Sequence, residues 1–570
     1  MSVAQEPPAQ WHRVLTLLAD ISLLIGTRSV WTQAAGHRLP LAAVICVCYA
    51  SILVCGVLAL VVRRERSLAR VDLCVLVTAV TLALSALALY HRGSDEAALT
   101  TQAARELVAG HAVYGQPWPW LFGHPGVGLT PTIAGGYDLT YGYPPLAPLL
   151  TAPLLWLGHG SMPATVLTTG ALVVATVVLW RLLPGPWRSA ATMVCLGFGL
   201  LPTYARLGYP AILALALLVP VVVRWPRIGR GGRLGPAGLA QAACLGAACA
   251  AQQLPWFLAP FLLAGIYAVR RGELGARAAA LVVLRVVGAA VTVWLLISTY
   301  FIVSEPGPWF AGIALPLTQG AVLHGQGLVD VSLYFTDGSD RLVWYSRASL
   351  LLVAGLLGLF VLFMRRLGPA ATVLPWCAFY LATRSQDGYY LMMTPLWLAA
   401  AVTAPPSEFT DAWEPRPRPL SGPPPLSASL EREDPHRHPA RVAAAVLLLA
   451  PALVSAVLAV TGTPPLRMRV ASVQQASATA LSRLTLRVSN RDDAALTPHF
   501  TLTTGQGMDA YWSIVRGPAA LPAHTTATYE LRPPGGTYAL PRQPGVRIRL
   551  RAFTPSPQTL SSAYITLRSG

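Results

Sequence analysis

Long apolar runs, separated by short polar segments, repeat along the chain from Leu39 to Ala404. Such runs predict membrane-spanning helices, because about 20 apolar residues are needed to cross the hydrocarbon core of a bilayer. The predicted spans are 39–62, 71–90, 162–182, 189–204, 209–223, 236–251, 254–269, 279–303, 349–364, 369–382, 389–404 and 440–460. Several runs are short, which predicts tilted or partial helices. We therefore expect a polytopic α-helical membrane protein with about 12–13 membrane helices.

Two other apolar stretches do not fit this pattern of full spans. Val14 to Ile25 is short and contains Asp20, which predicts an interfacial or weakly inserted helix in the N-terminal segment, residues 1–38. The alternative for this stretch is a first transmembrane span. Pro144 to Leu157 is also short, and the placement of charge along the chain decides how it is interpreted.

The basic residues of the chain are all arginine, and they give a formal net charge of +18 although only 12% of the residues are charged. They cluster in short loops between apolar runs, at residues 63–70, 224–233, 270–277 and 365–366. This clustering is typical of cytoplasmic loops and argues against nucleic-acid binding. It predicts that two long loops, 91–143 and 304–347, lie outside. It also makes Pro144 to Leu157 a re-entrant or interfacial helix rather than a span.

The C-terminal part of the chain has a different pattern. Residues 405–439 are rich in proline and charge, which predicts a disordered cytoplasmic linker before the last span at 440–460. Residues 461–570 alternate apolar and polar positions in segments such as "SRLTLRVSN" and "VRIRLRAF". This alternation predicts about seven short antiparallel strands. We expect an extracytoplasmic all-β sandwich of the Ig-like or jelly-roll type.

An acidic pair, Asp95 and Glu96, opens the first outer loop and begins a segment with helical spacing that Gly110 would end. A carboxylate within reach of a hydroxyl can accept its proton as a new C–O bond forms, so each is a candidate general base, with Asp95 favoured. The alternative is that both charges only complement the positive end of the helix dipole. Asp138, later in the same loop, is a candidate second acid or a turn residue, with the turn favoured.

Positive charge for a leaving phosphate is predicted on the same side of the membrane. Arg206 and Arg384 both fall at outer ends of predicted helices, and arginine binds phosphate through two parallel hydrogen bonds. Gln386, Asp387 and Tyr389 follow Arg384 at the mouth of a helix pair. The alternative for both arginines is a place among lipid headgroups.

The first outer loop is also rich in aromatic side chains, which either stack on sugars or form an interfacial belt, with the belt favoured. They are Trp118, Trp120, Tyr137, Tyr141 and Tyr143. Three histidines of the two outer loops, His111, His124 and His324, are scattered without the spacing of metal ligands. We therefore expect no metal and no cofactor.

Several short motifs give the chain a resemblance to a known family. An acidic residue directly follows an outward-running helix, "ARELVAGHAVY" then ends at Tyr114, and "YGYPPLAPLLTAPLLWL" contains Tyr143 as its second tyrosine. In this order they resemble the polyprenyl-phosphate-dependent glycosyltransferases of the GT-C fold. The actinobacterial mannosyltransferase branch is the most similar. The resemblance extends to about Ala404 and excludes the linker, the last span and the β domain.

The resemblance implies a GT-C-like catalytic domain over residues 39–404 that uses a sugar donor carried on a polyprenyl phosphate. It implies that an acidic residue of the first outer loop, here Asp95, is the general base. We also expect Tyr114 and Tyr143, which lie in the matching motifs, to contact the substrates. We expect transfer of mannose, or alternatively arabinofuranose, to an envelope glycolipid, glycan or protein at the outer face of the plasma membrane. Two other classes remain open: a lipid or polysaccharide transporter, and a non-catalytic envelope scaffold.

Overall fold

The computed structural model describes residues 9–90, 93–122, 127–156, 162–318, 324–415, 437–504, 508–541 and 547–565. These residues form a large helical part followed by a C-terminal β-sheet part. The first helices are α1 (Ala9–His37), α2 (Leu39–Val61), α3 (Glu65–Leu89), α4 (Asp95–Ala109), α5 (Leu146–Trp156), α6 (Pro163–Leu182), α7 (Arg188–Leu196), α8 (Leu200–Arg206), α9 (Pro210–Val222) and α10 (Pro236–Ala251). The remaining helices are α11 (Leu254–Leu274), α12 (Ala276–Ser304), α13 (Pro306–Thr318), α14 (Val343–Leu362), α15 (Met364–Leu367), α16 (Leu374–Cys377), α17 (Asp387–Leu391), α18 (Met393–Thr403) and α19 (Arg437–Val460).

Seven of the described helices are long and apolar enough to cross a membrane, which makes this a membrane-embedded protein. They are α1, α2, α3, α6, α12, α14 and α19. The apolar helices α5, α9 and α10 are shorter, and the predicted span 369–382 is divided into short helical turns. The expected 12–13 membrane helices are therefore not all full-length crossings.

Two N-terminal elements differ from the pattern predicted along the sequence. The predicted short helix Val14 to Ile25 is part of α1, whose 29 residues are enough to span a membrane, so its length favours the alternative of a first span. The predicted span 189–204 is two helices, α7 and α8. The break between them follows from close packing, because a Cβ on Gly26 of α1 would lie 2.3 Å from the nitrogen of Gly199.

The first residues of the predicted disordered linker, 405–415, are ordered, which corrects that part of the prediction. Phe409 is buried and packs on Trp225, while Glu408 forms an ion pair with Arg227 at 2.6 Å. Trp413 lies under the guanidinium of Arg271 at 3.7 Å. These aromatic and charged contacts hold the segment against the arginine-rich loops. The rest of the linker, to residue 436, lies outside the described residues.

The β strands form three sheets. In chain order they are β1 (His324–Gly325), β2 (Gly338–Ser339), β3 (Arg384–Ser385), β4 (Leu466–Ser477), β5 (Ala480–Asn490), β6 (His499–Thr503), β7 (Ser513–Arg516), β8 (Thr526–Arg532), β9 (Tyr538–Ala539), β10 (Ile548–Pro555) and β11 (Gln558–Ile565). The short strands β1 and β3 pair in parallel. One C-terminal sheet has the order β4-β5-β8-β7, with β9 on β5, and the other has the order β2-β11-β10-β6.

The two C-terminal sheets share one apolar core, in which Leu486 and Tyr529 of the first sheet meet Leu502 and Leu550 of the second. Apart from β2 and β9, the strand order is that of the ABED and CFG sheets of an immunoglobulin constant-type sandwich. The strand β2 lies in the helical part between α13 and α14, in the loop predicted to be the second outer loop, and pairs with β11 at Ser339 and Leu560. The β domain is therefore joined to the helical part through a shared sheet.

Candidate functional site

Helix α4 places the acidic pair in its first turn. The hydroxyl of Ser94 accepts a hydrogen bond from the Ala97 N–H and donates one to the Leu207 carbonyl, 2.9 Å away. Gly208 lies directly under this turn, with φ of 83° and an ideal Cβ position only 2.4 Å from the Cβ of Ala97. Gly110, at φ of 74°, ends the helix, as the sequence predicts. The start of α4 is thus fixed against the turn that follows α8.

Glu96 is the acid of the site whose pKa departs most from its ordinary value. Its side chain is buried, one carboxylate oxygen lies 3.8 Å from a guanidinium nitrogen of Arg384, and the Tyr143 hydroxyl donates a hydrogen bond to it. Burial raises the pKa of Glu96 to about 7, and the Arg384 charge opposes the rise while Asp95 adds to it. The second oxygen, Oε2, has no hydrogen-bond partner among the described residues. Such a group is poised to exchange a proton near neutral pH.

Asp95 is half-buried and lies beside Glu96 in a different set of contacts. Its Oδ2 accepts a hydrogen bond of 2.5 Å from the Thr130 hydroxyl, and its Oδ1 accepts one of 2.9 Å from the Glu96 N–H. Both oxygens of Asp95 are therefore engaged by the protein, which holds the side chain in one orientation.

Arg384 brings the positive charge to the acidic pair. It lies on β3, whose pairing with β1 fixes it to the second outer loop. The nearby Tyr389 hydroxyl contributes most to raising the pKa of this guanidinium, and desolvation opposes that rise. Burial in turn raises the pKa values of Tyr389 and Tyr143, so both phenols stay neutral. The Nε of Arg384 has no hydrogen-bond partner among the described residues.

The other residues predicted for the site lie at varying distances from this group. Arg206 packs over the ring of Tyr90 at 3.8 Å and hydrogen-bonds Thr203, so its described contacts are away from the acidic pair. Tyr114 is buried, and its hydroxyl donates a 2.9 Å hydrogen bond to the Tyr143 carbonyl. Tyr114 therefore holds the backbone of Tyr143 in place.

Gln386 and Asp387 lie at the start of α17, immediately after β3. The Gln386 carbonyl accepts the N–H of Tyr389 at 3.0 Å and so helps to form the short helix that presents this tyrosine. The side chain of Asp387 lies outside the described part of the structure.

A hairpin in the first outer loop contributes residues that the sequence analysis missed. We call residues 130–138 the loop hairpin, because the Asp138 N–H donates to the Thr130 carbonyl and Pro131 pairs with Tyr137. Asp138 lies at the open end of the hairpin, opposite Thr130, and not in the turn at residues 133–136; its negative charge also acts on Glu96. Thr130 gave no signal in the sequence, because its partner Asp95 is distant in the chain.

Glu305 is a second residue that the sequence analysis missed. It is buried at the end of α12 and accepts hydrogen bonds from the N–H groups of Val113 and Tyr114, at 3.1 and 3.0 Å. It thereby joins the first outer loop to the start of the second. A buried acid that caps distant backbone N–H groups cannot be recognised from sequence spacing.

The segment after α4 borders a cavity of about 260 Å³. Its wall includes Glu106, whose carboxylate accepts hydrogen bonds from Gln102 at 2.6 Å and His111 at 2.9 Å. Trp120 also lines it and is 58% exposed, whereas Trp118 is buried in the core of the loop. An exposed indole beside a carboxylate and an imidazole is suited to a polyhydroxylated ligand, which offers both apolar and hydrogen-bonding faces.

Within the described ranges, no group of three or more His, Cys, Asp or Glu side chains is arranged to hold a metal ion. Comparison of the chain with protein-family models, with curated proteins and with solved structures finds no match. The chemistry of the site therefore has to be inferred from its own geometry. The site consists of a buried carboxyl with a pKa of about 7, a second carboxyl, an arginine and two phenols, grouped at the start of α4.

Proposed function

We propose that this protein is an integral-membrane glycosyltransferase that moves a sugar from a polyprenyl-phosphate donor to a cell-envelope acceptor on the extracytoplasmic face of the plasma membrane. Mannose is the favoured sugar and arabinofuranose the alternative, following the resemblance to GT-C enzymes. One observation supports the proposal above the others: a buried carboxyl, Glu96, has a pKa of about 7 and an unpartnered oxygen beside Arg384.

The proposed proton acceptor is Glu96. A general base works best when its pKa is close to the working pH, and the raised pKa of Glu96 meets this condition. In the proposed step, Glu96 takes the proton of the acceptor hydroxyl while that oxygen bonds to the anomeric carbon and the bond to the donor phosphate breaks. Asp95, which the sequence analysis favoured, is the second candidate, since it lies in the same helical turn.

The proposed contact for the departing phosphate is Arg384. Negative charge develops on the phosphate as the sugar leaves, and a preorganised guanidinium stabilises that charge. Its Nε has no described partner and is available to a ligand, while Tyr389 and Tyr143 surround it with hydroxyl groups. The cavity beside Trp120 lies further along the same loop and is proposed to hold a distal sugar of the acceptor.

The test of the proposal is sugar transfer by the purified full-length protein in lipid nanodiscs. Radiolabelled polyprenyl-phosphate mannose and polyprenyl-phosphate arabinofuranose are supplied in parallel with an envelope glycolipid extract as acceptor. Wild type is compared with Glu96→Gln, Asp95→Asn and Arg384→Gln, with Glu530→Gln on the β domain as the control for loss of a carboxylate. We expect Glu96→Gln to lower transfer by about 10²-fold or more. No transfer from either donor by wild-type protein contradicts the proposal.

A second candidate function, a lipid or polysaccharide transporter, is favoured by buried acids within candidate spans. Asp20 of α1 is 3% exposed with no described partner for either carboxylate oxygen, and Asp72 of α3 is fully buried. Ionisable groups inside membrane helices often mark ion or substrate pathways. Movement of a fluorescent glycolipid across proteoliposomes that depends on Asp20, without sugar transfer, would support this second candidate.

A further inference from the structure

We propose that the β domain is a positioning element of the acidic site and acts on Asp95 through the loop hairpin. Its consequence for catalysis rests on the proposed function, whereas the contacts that support it do not. The proposal assigns Tyr511 and Thr130 as the two positioning residues: Tyr511 bonds the hairpin backbone at Thr132, and Thr130, two residues earlier, bonds Asp95.

The β domain holds the loop hairpin at its turn. The Tyr511 hydroxyl donates a 2.7 Å hydrogen bond to the Thr132 carbonyl, and the Tyr511 N–H donates one of 3.1 Å to the Tyr137 hydroxyl. Gly135, at φ of 87°, lies so close to His499 that an ideal Cβ would be 2.1 Å from the imidazole ring. Both the backbone and the tip of the hairpin are thus in contact with the domain.

The side chain of Ile133, at the tip of the loop hairpin, is buried where the hairpin, the β domain and the start of α14 meet. Ile133 is 1% exposed and belongs to a cluster with Phe553 of β10, Leu560 of β11 and Leu342 beside α14. Burial of such a side chain contributes about 2 kcal/mol, so the hairpin is attached by apolar packing as well as by hydrogen bonds.

The other end of the loop hairpin holds Asp95. The Thr130 hydroxyl donates to Asp95 Oδ2 at 2.5 Å, and the Thr130 carbonyl accepts the Asp138 N–H at 2.9 Å. A single residue separates Thr130 from Thr132, the residue that Tyr511 holds. Displacement of the hairpin by the β domain would therefore move the Asp95 contact directly.

The β domain is itself fixed to the helical part, so it can serve as a rigid support. The strand β2 extends the sheet of β11, and a guanidinium nitrogen of Arg551 donates to the Leu333 carbonyl at 3.1 Å. The Ser339 hydroxyl donates to the Ala459 carbonyl, at the end of α19, at 2.9 Å. The loop hairpin thus lies between α4, which is fixed against the turn after α8, and the β domain, which is fixed by these contacts.

The first experiment compares Tyr511→Phe with Tyr529→Phe in full-length protein in nanodiscs. Both changes remove one phenol hydroxyl from the β domain, but the Tyr529 hydroxyl has no hydrogen-bond partner among the described residues. Hydrogen exchange is followed at the Thr132 and Asp138 amides, which are bonded within the hairpin. We expect about fivefold faster exchange at both amides in Tyr511→Phe and no change in Tyr529→Phe. Unchanged exchange in Tyr511→Phe overturns the proposal.

The second experiment separates a positioning role from a purely structural one. Thr130→Val removes the hydrogen bond to Asp95, and Thr130→Ser retains a hydroxyl. We expect Thr130→Val and Tyr511→Phe to lower kcat for sugar transfer about fivefold with little change in donor KM, and Thr130→Ser to restore kcat. Equal kcat in all variants, despite a loosened hairpin, also overturns the proposal. Faster exchange combined with no transfer in wild-type protein leaves the hairpin attachment standing and removes only the proposed function.

Discussion

At the scale of single residues, the burial of Glu96 sets the catalytic role proposed for it in conflict with stability. Burying a carboxyl disfavours its charged form, which raises the pKa from an ordinary 4.5 to about 7. The unfolded chain therefore loses this proton at lower pH than the folded protein does. The buried Glu96 therefore costs the folded protein no stability below pH 4.5, where the carboxyl is neutral in both states. The loss of stability grows as the pH rises from 4.5 through 7.

This conflict predicts that Glu96→Gln stabilises the protein in alkaline solution while removing transfer. The amide carries no charge to desolvate, so the variant should gain up to about 3 kcal/mol above pH 7 relative to wild type. The gain should diminish towards pH 4.5, where wild-type Glu96 is neutral. The measurement is the Tm in detergent from pH 4.5 to 9, with Asp95→Asn in parallel. A Tm difference that does not depend on pH would contradict the assigned burial.

A second prediction at this scale concerns Trp120. If its exposed ring supports a distal sugar of the acceptor, Trp120→Ala should raise acceptor KM about tenfold for extended acceptors. Short acceptors, which do not reach the cavity, should be unaffected. Trp156→Ala, which removes a 75% exposed indole from the end of α5, is the matched control. Equal effects of the two changes would assign Trp120 to the interfacial belt.

The chemical types at the site were predictable from the sequence, but their grouping was not. The acidic pair and the arginine of "TRSQDGYY" were recognisable by their charge and by the topological side predicted for them. Sequence spacing alone did not separate Arg206 from Arg384, because the contact of Arg384 with Glu96 joins distant parts of the chain. The same limit applies to the burial that distinguishes Glu96 from Asp95.

At the scale of elements, the position of α4 depends on a glycine in a neighbouring turn. Gly208→Ala should displace the first turn of α4, because the new methyl group would approach Ala97 within 2.4 Å at a φ that L-residues avoid. We expect a loss of transfer of about tenfold or more, with a Tm decrease corresponding to about 2 kcal/mol. Gly170→Ala, in α6 with open space around its Cβ, is the control and should be neutral. Retention of activity in Gly208→Ala would show that α4 is not tightly held.

A buried polar cluster joins α1, α3 and α7. Asp72 accepts hydrogen bonds from Thr16 at 2.8 Å and Ser189 at 2.6 Å, and lies 2.6 Å from His12. Asp72→Ala removes the acceptor that these side chains share and should destabilise the protein by about 1–3 kcal/mol in thermal unfolding. Thr81→Ala removes a hydroxyl that bonds only its own helix and should have little effect. Similar Tm values for the two variants would argue against a structural role for the cluster.

Element boundaries were predictable where the signal is local. Gly110 ends α4, and the arginine loops flank the long apolar helices, because capping and charge act over a few residues. The break between α7 and α8 was not predictable. It depends on contact with Gly26, and on a hydrogen bond from the Phe198 N–H to the Ser22 carbonyl, both across a tertiary interface.

At the scale of the whole molecule, the acidic pair and the arginine-rich loops lie in separate regions. The arginine-rich loops pack against the segment 405–415, whereas the loop hairpin contacts the acidic pair on one side and the β domain on the other. The alternation of polar and apolar residues was enough to predict the β domain. The sequence did not reveal that the sheet β2-β11-β10-β6 takes its edge strand β2 from a loop between helices, because a strand of two residues has no recognisable alternation.

This shared sheet predicts that Gly338→Ala loosens the β domain. A methyl group there would lie about 2.0 Å from the Leu560 carbonyl oxygen, at a φ of 127°. We expect limited proteolysis of the full-length protein to release the β domain several times faster in Gly338→Ala than in wild type. Gly307→Ala, with open space around its Cβ, is the control. Equal release would show that β2 contributes little to attachment.

The pairing of β2 with β11 also sets an order of assembly. Gly338 and Ser339 are synthesised well before Gln558 to Ile565, so β2 can pair only once β11 has been made. A nascent or truncated chain that ends before β11 leaves that edge uncovered. Completion of this sheet is therefore coupled to synthesis of β11, so a chain that lacks this strand cannot join its β domain to the helical part through β2.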